Sequence, residues 1–208
     1  MSVNKPFTLA GARVALGRSR DIDVPVGESA TGRDHVVPTR VWRGAEPGPV
    51  VAITAAVHGD EINGMGIVRQ LLIDPPFELR RGTLVLVPVV NVLGFERQTR
   101  YMPDRRDLNR SFPGSPTGSL TARFAYTVFN EIVAKADWLI DLHAAAAKRT
   151  NYPNVRADLD HEGCAQLAAY FGHNLTVHGQ GPDGSLRRAA VKAGVPCIIL
   201  EAGEIWKF

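Results

Sequence analysis

Cysteine is nearly absent from this chain. Two occur in 208 residues, Cys164 and Cys197, without CxxC spacing. That excludes a disulfide framework and a thiolate metal site, and leaves both as small apolar packers. Long hydrophobic runs are missing too: nothing approaches the roughly 18 apolar residues of a membrane span. The opening MSVNKPFTLAGAR lacks the apolar segment of a signal peptide, so a cytoplasmic protein without a membrane partner is expected. No internal repeat or low-complexity segment is present. A broad basic face is also lacking, because the net charge of +3 and pI near 9.1 come from scattered Lys and Arg with one local cluster, Arg97 to Arg110. Scattered charge argues against nucleic acid and for a small anionic ligand.

What is present is ordinary globular composition, 45% hydrophobic and 22% charged, enough for a substantial core in one domain. Val50 to Val57 is nearly unbroken apolar or small sequence, the pattern of a strand buried on both faces, and it ends abruptly in His58-Gly-Asp-Glu61. Ile62, Met65, Ile67, Val68, Leu71 and Leu72 then follow helical spacing until Pro75 and Pro76 end it. Thr83 to Val90 predicts a second buried strand, with Pro88 marking an irregularity or an edge. From Asn91 to Thr117 neither period is visible. A loop of that length in a compact domain is usually functional or disordered, and Phe95, Tyr101, Leu108 and Phe112 argue for an ordered one. Ser119 or Thr121 caps a helix predicted to run through Ala136, with Phe124, Val128, Phe129, Ile132 and Val133 on one face.

Asp137 to His143 reads as a third strand, followed by a loop through Asp158. His161 to Gly172 reads as a helix, Asn174 to His178 as a weak strand, Gly179 to Gly184 as a turn and Ser185 to Ala193 as a short helix. Pro196 to Leu200 is the fourth core strand, ending in Glu201. Ahead of all this, short β-like pieces at Arg13 to Leu16 and Val36 to Trp42, with the turn-rich AEPGP, suggest an antiparallel edge. Strands alternating with helices predict an α/β fold with helices on both faces of the sheet. Residues 1–49 form a β-rich edge region of the same domain as the core, 50–208.

Three strands deliver a ligand or an acid at their carboxyl ends, where open α/β sheets bind ligands: His58 with Glu61, then His143, then Glu201. A bare HxxE is weak evidence, since chance supplies one readily; its place at a strand end strengthens it. Two histidines and a glutamate, with an open position for water, suit a catalytic zinc, and imidazole with carboxylate leaves the metal electrophilic enough to acidify that water toward a pKa of about 7. His35, His161, His173 and His178 have no matching partner and are read as solvated or structural. In the long loop, Arg110 can grip a carboxylate through two parallel bonds with Asn109 as a directional donor; the bland reading is a solvated surface loop.

The combination HGDE, TRY ahead of DLNR and FPG, DLH, and a late LEAG resembles the succinylglutamate desuccinylase and aspartoacylase family, relatives of the zinc carboxypeptidases, over about Gly48 to Gly203. The resemblance implies a three-layer α/β/α fold with a mixed, mainly parallel central sheet. It implies one zinc per chain held by His58, Glu61 and His143. Glu201 matches the glutamate that takes a proton from the zinc water and passes it to the departing amine. Arg100 matches the arginine that polarises the scissile carbonyl, Asn109 and Arg110 the pair that binds the substrate carboxylate, and Asp107 the aspartate that fixes a ligand histidine's tautomer, expected to be that of His58. The spacing from Arg100 to DLNR is about two residues longer than the aspartoacylase-like pattern, which leaves Arg105 and Arg106 open as alternatives. Family members continue into a β-rich carboxyl-terminal part, so a chain stopping at Phe208 is expected to be a catalytic-domain fragment. Arg187 or Arg188, after a glycine-rich turn, is a candidate for an acyl-side carboxylate, against a solvated helix surface.

The expected function is therefore zinc-dependent hydrolysis of the amide bond of a small anionic N-acyl amino acid. A carboxypeptidase-like peptidase and a non-catalytic zinc or ligand-binding domain are the alternatives, and a homodimer is the base-rate expectation.

Overall fold

The computed structural model describes residues 6–28 and 31–207. Met1 to Lys5, Ser29, Ala30 and Phe208, which include part of the amino-terminal reading and the chain's last residue, lie outside them. A small hairpin of β1 (Phe7–Leu9) and β2 (Ala12–Val14) comes first. Then follow β3 (Ser19–Glu28), β4 (Asp34–Arg43), β5 (Glu46–Ala55), α1 (Ile62–Ile73), β6 (Arg81–Val87) and a short α2 (Val92–Glu96). The second half holds α3 (Leu120–Glu131), β7 (Trp138–His143), β8 (Asn151–Ala157), α4 (Glu162–Phe171), β9 (Thr176–His178), α5 (Leu186–Lys192) and β10 (Cys197–Gly203).

Eight strands make one sheet in the order β3-β4-β6-β5-β7-β10-β8-β9. Its centre, β6-β5-β7-β10, is parallel, and antiparallel pairings join β4 to β6, β3 to β4 and β8 to β10. The sheet is thus mixed and mainly parallel at its core, as expected. Strand alternation explains the layers. Ala52, Val85, Val87 and Leu139 point to one face and pack with Phe124 and Val128 of α3 and Ala190 of α5. Their neighbours Val51, Ile53, Leu84, Leu86 and Ile140 point to the other and pack with Val68, Leu71 and Leu72 of α1. On that second face α4 covers Val155, Ala157 and Ile198 through Leu167 and Ala168. Each central strand is buried on both sides, which is why each reads as a continuous apolar run.

Several boundaries differ from the sequence reading. The stretch Ser19–Glu28 is a full strand whose inward residues Ile22, Val24 and Val26 alternate with exposed ones. AEPGP is no free turn: β5 begins at Glu46, where Gly48 lies against Gly82 so closely that a Cβ would sit 2.9 Å from the Gly82 nitrogen. β6 stops at Val87, so Pro88 falls beyond an interior strand and marks its end. The long segment 91–117 is ordered, as expected, around α2, capped by Asn91, and a single 3-10 turn, Leu108–Arg110. α3 ends at Glu131 after an N-cap in which the Ser119 hydroxyl accepts from Ala122 N, and a separate 3-10 turn, Val133–Lys135, completes the predicted stretch. The largest correction is β8, a strand where a loop through Asp158 was expected.

Candidate active site

The site forms where the parallel strands end. After β5 the chain turns sharply at Ala56, whose φ of 51° is left-handed, and passes Gly59, where a Cβ would lie 2.2 Å from the Gly94 carbonyl carbon. Only glycine lets the two loops approach so closely, and the turn carries buried His58 inward. Glu61 is the residue just before α1. A second close contact sets how near that helix stands: at Gly64 a Cβ would be 2.7 Å from the Leu142 Cβ and 3.0 Å from the Ala55 Cβ. With no side chain there, α1 lies tight on β5 and β7, and Glu61 meets His143, the last residue of β7.

Glu61 Oε1 lies 2.7 Å from His58 Nδ1, and Oε2 lies 2.8 Å from His143 Nδ1 and accepts from Ala144 N at 3.1 Å. Each ring turns its Nε2 outward to a different carboxylate: His58 to Asp107 at 3.2 Å, His143 to Asp141 at 2.7 Å. A carboxylate acceptor behind each ring holds a proton on Nε2, so that a metal taking the place of the proton between Nδ1 and Glu61 would meet an inward lone pair. Ligand atoms of His58, Glu61 and His143 all fall within 4.8 Å of one another. Two inward imidazole nitrogens and one carboxylate, each anchored from outside, fit a catalytic zinc.

Burial alone would raise the Glu61 carboxyl, but the His143 and His58 rings outweigh it and hold the group well below the usual carboxylate range. Burial likewise works against charge on His143, yet Asp141 and Glu61 raise it well above an ordinary histidine. Asp107 is held at about 2, His58 and Arg100 overcoming its partial burial.

Of the expected residues outside the cluster, Arg100 donates to Glu61 Oε1 at 3.0 Å and reaches Asp107 at 3.5 Å. Arg105 is exposed and Arg106 pairs with Asp104 at 3.6 Å, so of these three it is Arg100 that lies against Glu61 and Asp107. The Asn109 side-chain oxygen accepts from Leu186 N at 2.8 Å, which leaves its amide nitrogen for other partners, and Arg110 Nη1 donates to the Asn109 carbonyl at 2.6 Å. Glu201 pairs in register with His143 across the parallel strands β10 and β7. Opposed residues of adjacent strands share a face, so base candidate and ligand candidate project side by side. Glu201 lies within β10, two residues before its end, and not beyond a strand ending at Leu200.

These groups line one open cleft of about 230 Å³, with Arg149, Asn151, Arg156 and Arg187 added to them. Five guanidinium groups, Arg100, Arg110, Arg149, Arg156 and Arg187, face it against two carboxylates, Glu61 and Glu201. Arg187 is 6% exposed, and its Nε and Nη1 have no hydrogen-bond partner; burial pushes its pKa down. Arg188 instead pairs with Asp183 at 3.0 Å and donates to the Gly181 carbonyl, away from the cleft lining. His161 caps α4, its Nδ1 accepting from Cys164 N, while Cys164 and Cys197 are free and buried.

Sequence reasoning missed Asp141, although an aspartate two residues before a candidate ligand histidine on a strand shares its face. It also missed Arg149, Asn151 and Arg156, because β8 and its approach were read as loop. Among the described residues Asp158, Asp160 and His178 form a second cluster of donors, with Asp160 and His178 exposed. No helix among the described residues is long and apolar enough to cross a membrane.

Comparison with known proteins agrees with this architecture. Residues 47–208 match the Succinylglutamate desuccinylase/Aspartoacylase catalytic domain. The N-alpha-acetyl-L-2,4-diaminobutyric acid deacetylase of Halomonas elongata is 36% identical over 118 residues, 56% of this chain and 34% of that protein. A crystal structure of a succinylglutamate desuccinylase/aspartoacylase from Rhodobacter sphaeroides superposes with a TM-score of 0.76 at 25% identity, covering 92% of this chain and 60% of that one. A metallo-carboxypeptidase from Burkholderia cenocepacia shares the fold, with a TM-score of 0.68 at 18% identity over 88% of this chain and 55% of its own. The chain thus spans about a third of the curated relative and under two thirds of either solved one. Matched over most of its length and carrying the inward His-Glu-His cluster on the expected sheet, the chain belongs to the succinylglutamate desuccinylase/aspartoacylase family.

Proposed function

We propose that this chain is the catalytic part of a zinc-dependent hydrolase that cleaves the amide bond of an N-acyl amino acid. The observation that carries the reading is Glu201 held in register beside His143, at the edge of a cluster fit for zinc and inside a cleft rich in guanidinium. His58, Glu61 and His143 would hold the zinc, which would supply a Lewis acid to polarise a carbonyl and acidify water. Everything else falls to the chain's own side chains. Glu201 accepts the proton of the attacking water and returns it to the amide nitrogen as the carbon–nitrogen bond breaks. Arg100 donates to the carbonyl oxygen as it gains negative charge. Asn109 and Arg110 hold the amino acid carboxylate and so fix which face of the amide meets the water. Arg187, with two unpaired buried nitrogens, offers a place for a second carboxylate.

The deacetylase relative supports amide hydrolysis. The same donor set would suit the carboxyl terminus of a peptide, so the test offers both kinds of substrate. Zinc-loaded full-length protein is supplied with acetyl-, succinyl- and longer acyl-amino acids and with short peptides. Acyl release is expected from the first group, with Glu201→Gln slower by about 10²–10⁴-fold. Preferential release of terminal residues from peptides would favour the peptidase, and full function in Glu201→Gln a binding domain. A His143→Ala variant that kept both stoichiometric zinc and hydrolysis would sink the reading.

A further inference from the structure

Glu201 reaches into the cleft from β10, but a glutamate has three rotatable bonds and, unheld, samples several staggered conformers. The neighbouring strand β8 holds it. Asn151 Nδ2 donates to Glu201 Oε2 at 2.7 Å, while Arg156 Nε stands 3.6 Å from Oε1 and forms no hydrogen bond, which leaves that oxygen to other partners. The hold depends on an irregularity in the pairing. Glu201 faces Asn154 and Gly203 faces Asn151, so two steps along β10 (201 to 203) span three along β8 (151 to 154).

That extra residue reverses the alternation of β8 at its start, as a β-bulge does. In regular register Tyr152 would oppose Gly203 and share the face of Glu201. With the bulge Tyr152 turns out, 75% exposed, and Asn151 turns in to line the cleft. Pro153 sits within the bulge, where a residue without an N–H is tolerated. The local sequence Asn-Tyr-Pro-Asn thus looks unlike a strand because it builds this reversal.

We propose that Asn151 is the positioning residue for the reaction, holding Glu201 by Oε2 so that Oε1 is presented to the attacking water. An amide suits the task because it orients a carboxylate without adding charge. The proton leaves the water for Oε1 and departs from there to the amine nitrogen, while Oε2 stays bonded to Asn151 throughout. This rests on the reading of Glu201 as the base, and the experiment separates the two.

In the zinc-loaded full-length protein, Asn151→Ala is expected to lower kcat by about tenfold or more, with KM nearly unchanged and zinc content intact. Asn151→Asp keeps the volume and loses the donor, and is expected to lose at least as much kcat. In a Glu201→Gln background, Asn151→Ala is expected to cost almost nothing further, because a residue acting through Glu201 has nothing left to position. Glu201→Gln slow but Asn151→Ala and Asn151→Asp at full kcat overturns the proposal alone. So does a loss that adds in full to that of Glu201→Gln, which would make Asn151 a contact of its own. Full turnover in Glu201→Gln by itself overturns the base reading, and the proposal with it.

Discussion

Asp141 provides the sharpest test of how this site is held. It is completely buried, accepts from the Thr54 hydroxyl at 2.7 Å and lies 2.7 Å from His143 Nε2. The substitution Asp141→Asn keeps shape and one acceptor but removes the charge. Hydrogen bonds to a charged group contribute about 1.5–3 kcal/mol and neutral ones about 0.5–1.5, so the change weakens the hold on His143 by about 1–1.5 kcal/mol. At about 1.4 kcal/mol per factor of ten, zinc affinity should fall five- to tenfold. Asp141→Ala removes both acceptors and frees the ring to rotate, so the fall should reach about 10–100-fold, the usual range for loss of a carboxylate behind a ligand histidine. The assay is competition for zinc against a chromogenic chelator near neutral pH, followed by kcat at saturating zinc. Turnover should return in large part once the metal is replenished. Unchanged zinc affinity in Asp141→Ala would refute the view that Asp141 aims His143 Nδ1 at the metal.

Other outcomes follow from the same geometry. Replacing Arg187 by Met should cut kcat/KM for dicarboxylic substrates by about 10–100-fold and leave monocarboxylic acyl-amino acids within about threefold; because it also removes a buried unpaired cation, the urea midpoint should rise. Gly64→Ala gains about 1 kcal/mol of helix propensity but places a methyl 2.7 Å from Leu142 Cβ, an overpacking cost of about 1–3 kcal/mol. A lower urea midpoint with weaker zinc binding is expected, and a more stable protein would show that α1 can retreat freely. In metal-free protein, Asp107 has a folded pKa of about 2 against an ordinary value of 3.8. Its contribution, about 2 kcal/mol, is present above 3.8 and lost as pH falls toward about 2. Acid unfolding of Asp107→Asn, followed by circular dichroism, should lack that slope.

Residues whose pattern is set by burial were the most legible in the sequence. Val50 to Ala55 and Thr83 to Val87 lie in interior strands, and a two-sided core demands the continuous apolar runs that announce them. β3 carried a period of two in Ile22, Val24 and Val26, but the exposed charges between them masked it. β8 was illegible for a different reason: Asn151 and Arg156 line the cleft and Asn151 to Asn154 form the bulge, so polar residues stand where the apolar ones by which strands are recognised would be. The same holds for Arg187. A short helix after a turn suggests a solvated arginine, and only the packing around α5 makes it a buried one. His143 and Glu201 were visible because each ends or nearly ends an apolar strand, and His58 and Glu61 because they fill the short turn between β5 and α1, places where polar chemistry has no packing reason to be.

The in-register pair of His143 and Glu201 also bears on how this site can change. Neighbouring strands in a sheet stand about 4.8 Å apart whatever their side chains, so the spacing from His143, the proposed metal ligand, to Glu201, the proposed base, is dictated by backbone hydrogen bonding. Loops that line the cleft, such as 91–117, can be lengthened or rebuilt without altering that interval. What the interval cannot survive is slippage of β10 against β7 by one position, which would turn Glu201 to the opposite face of the sheet. The walls of the cleft are thereby left open to variation, while the placing of Glu201 beside His143 is as hard to disturb as the sheet is to unpair.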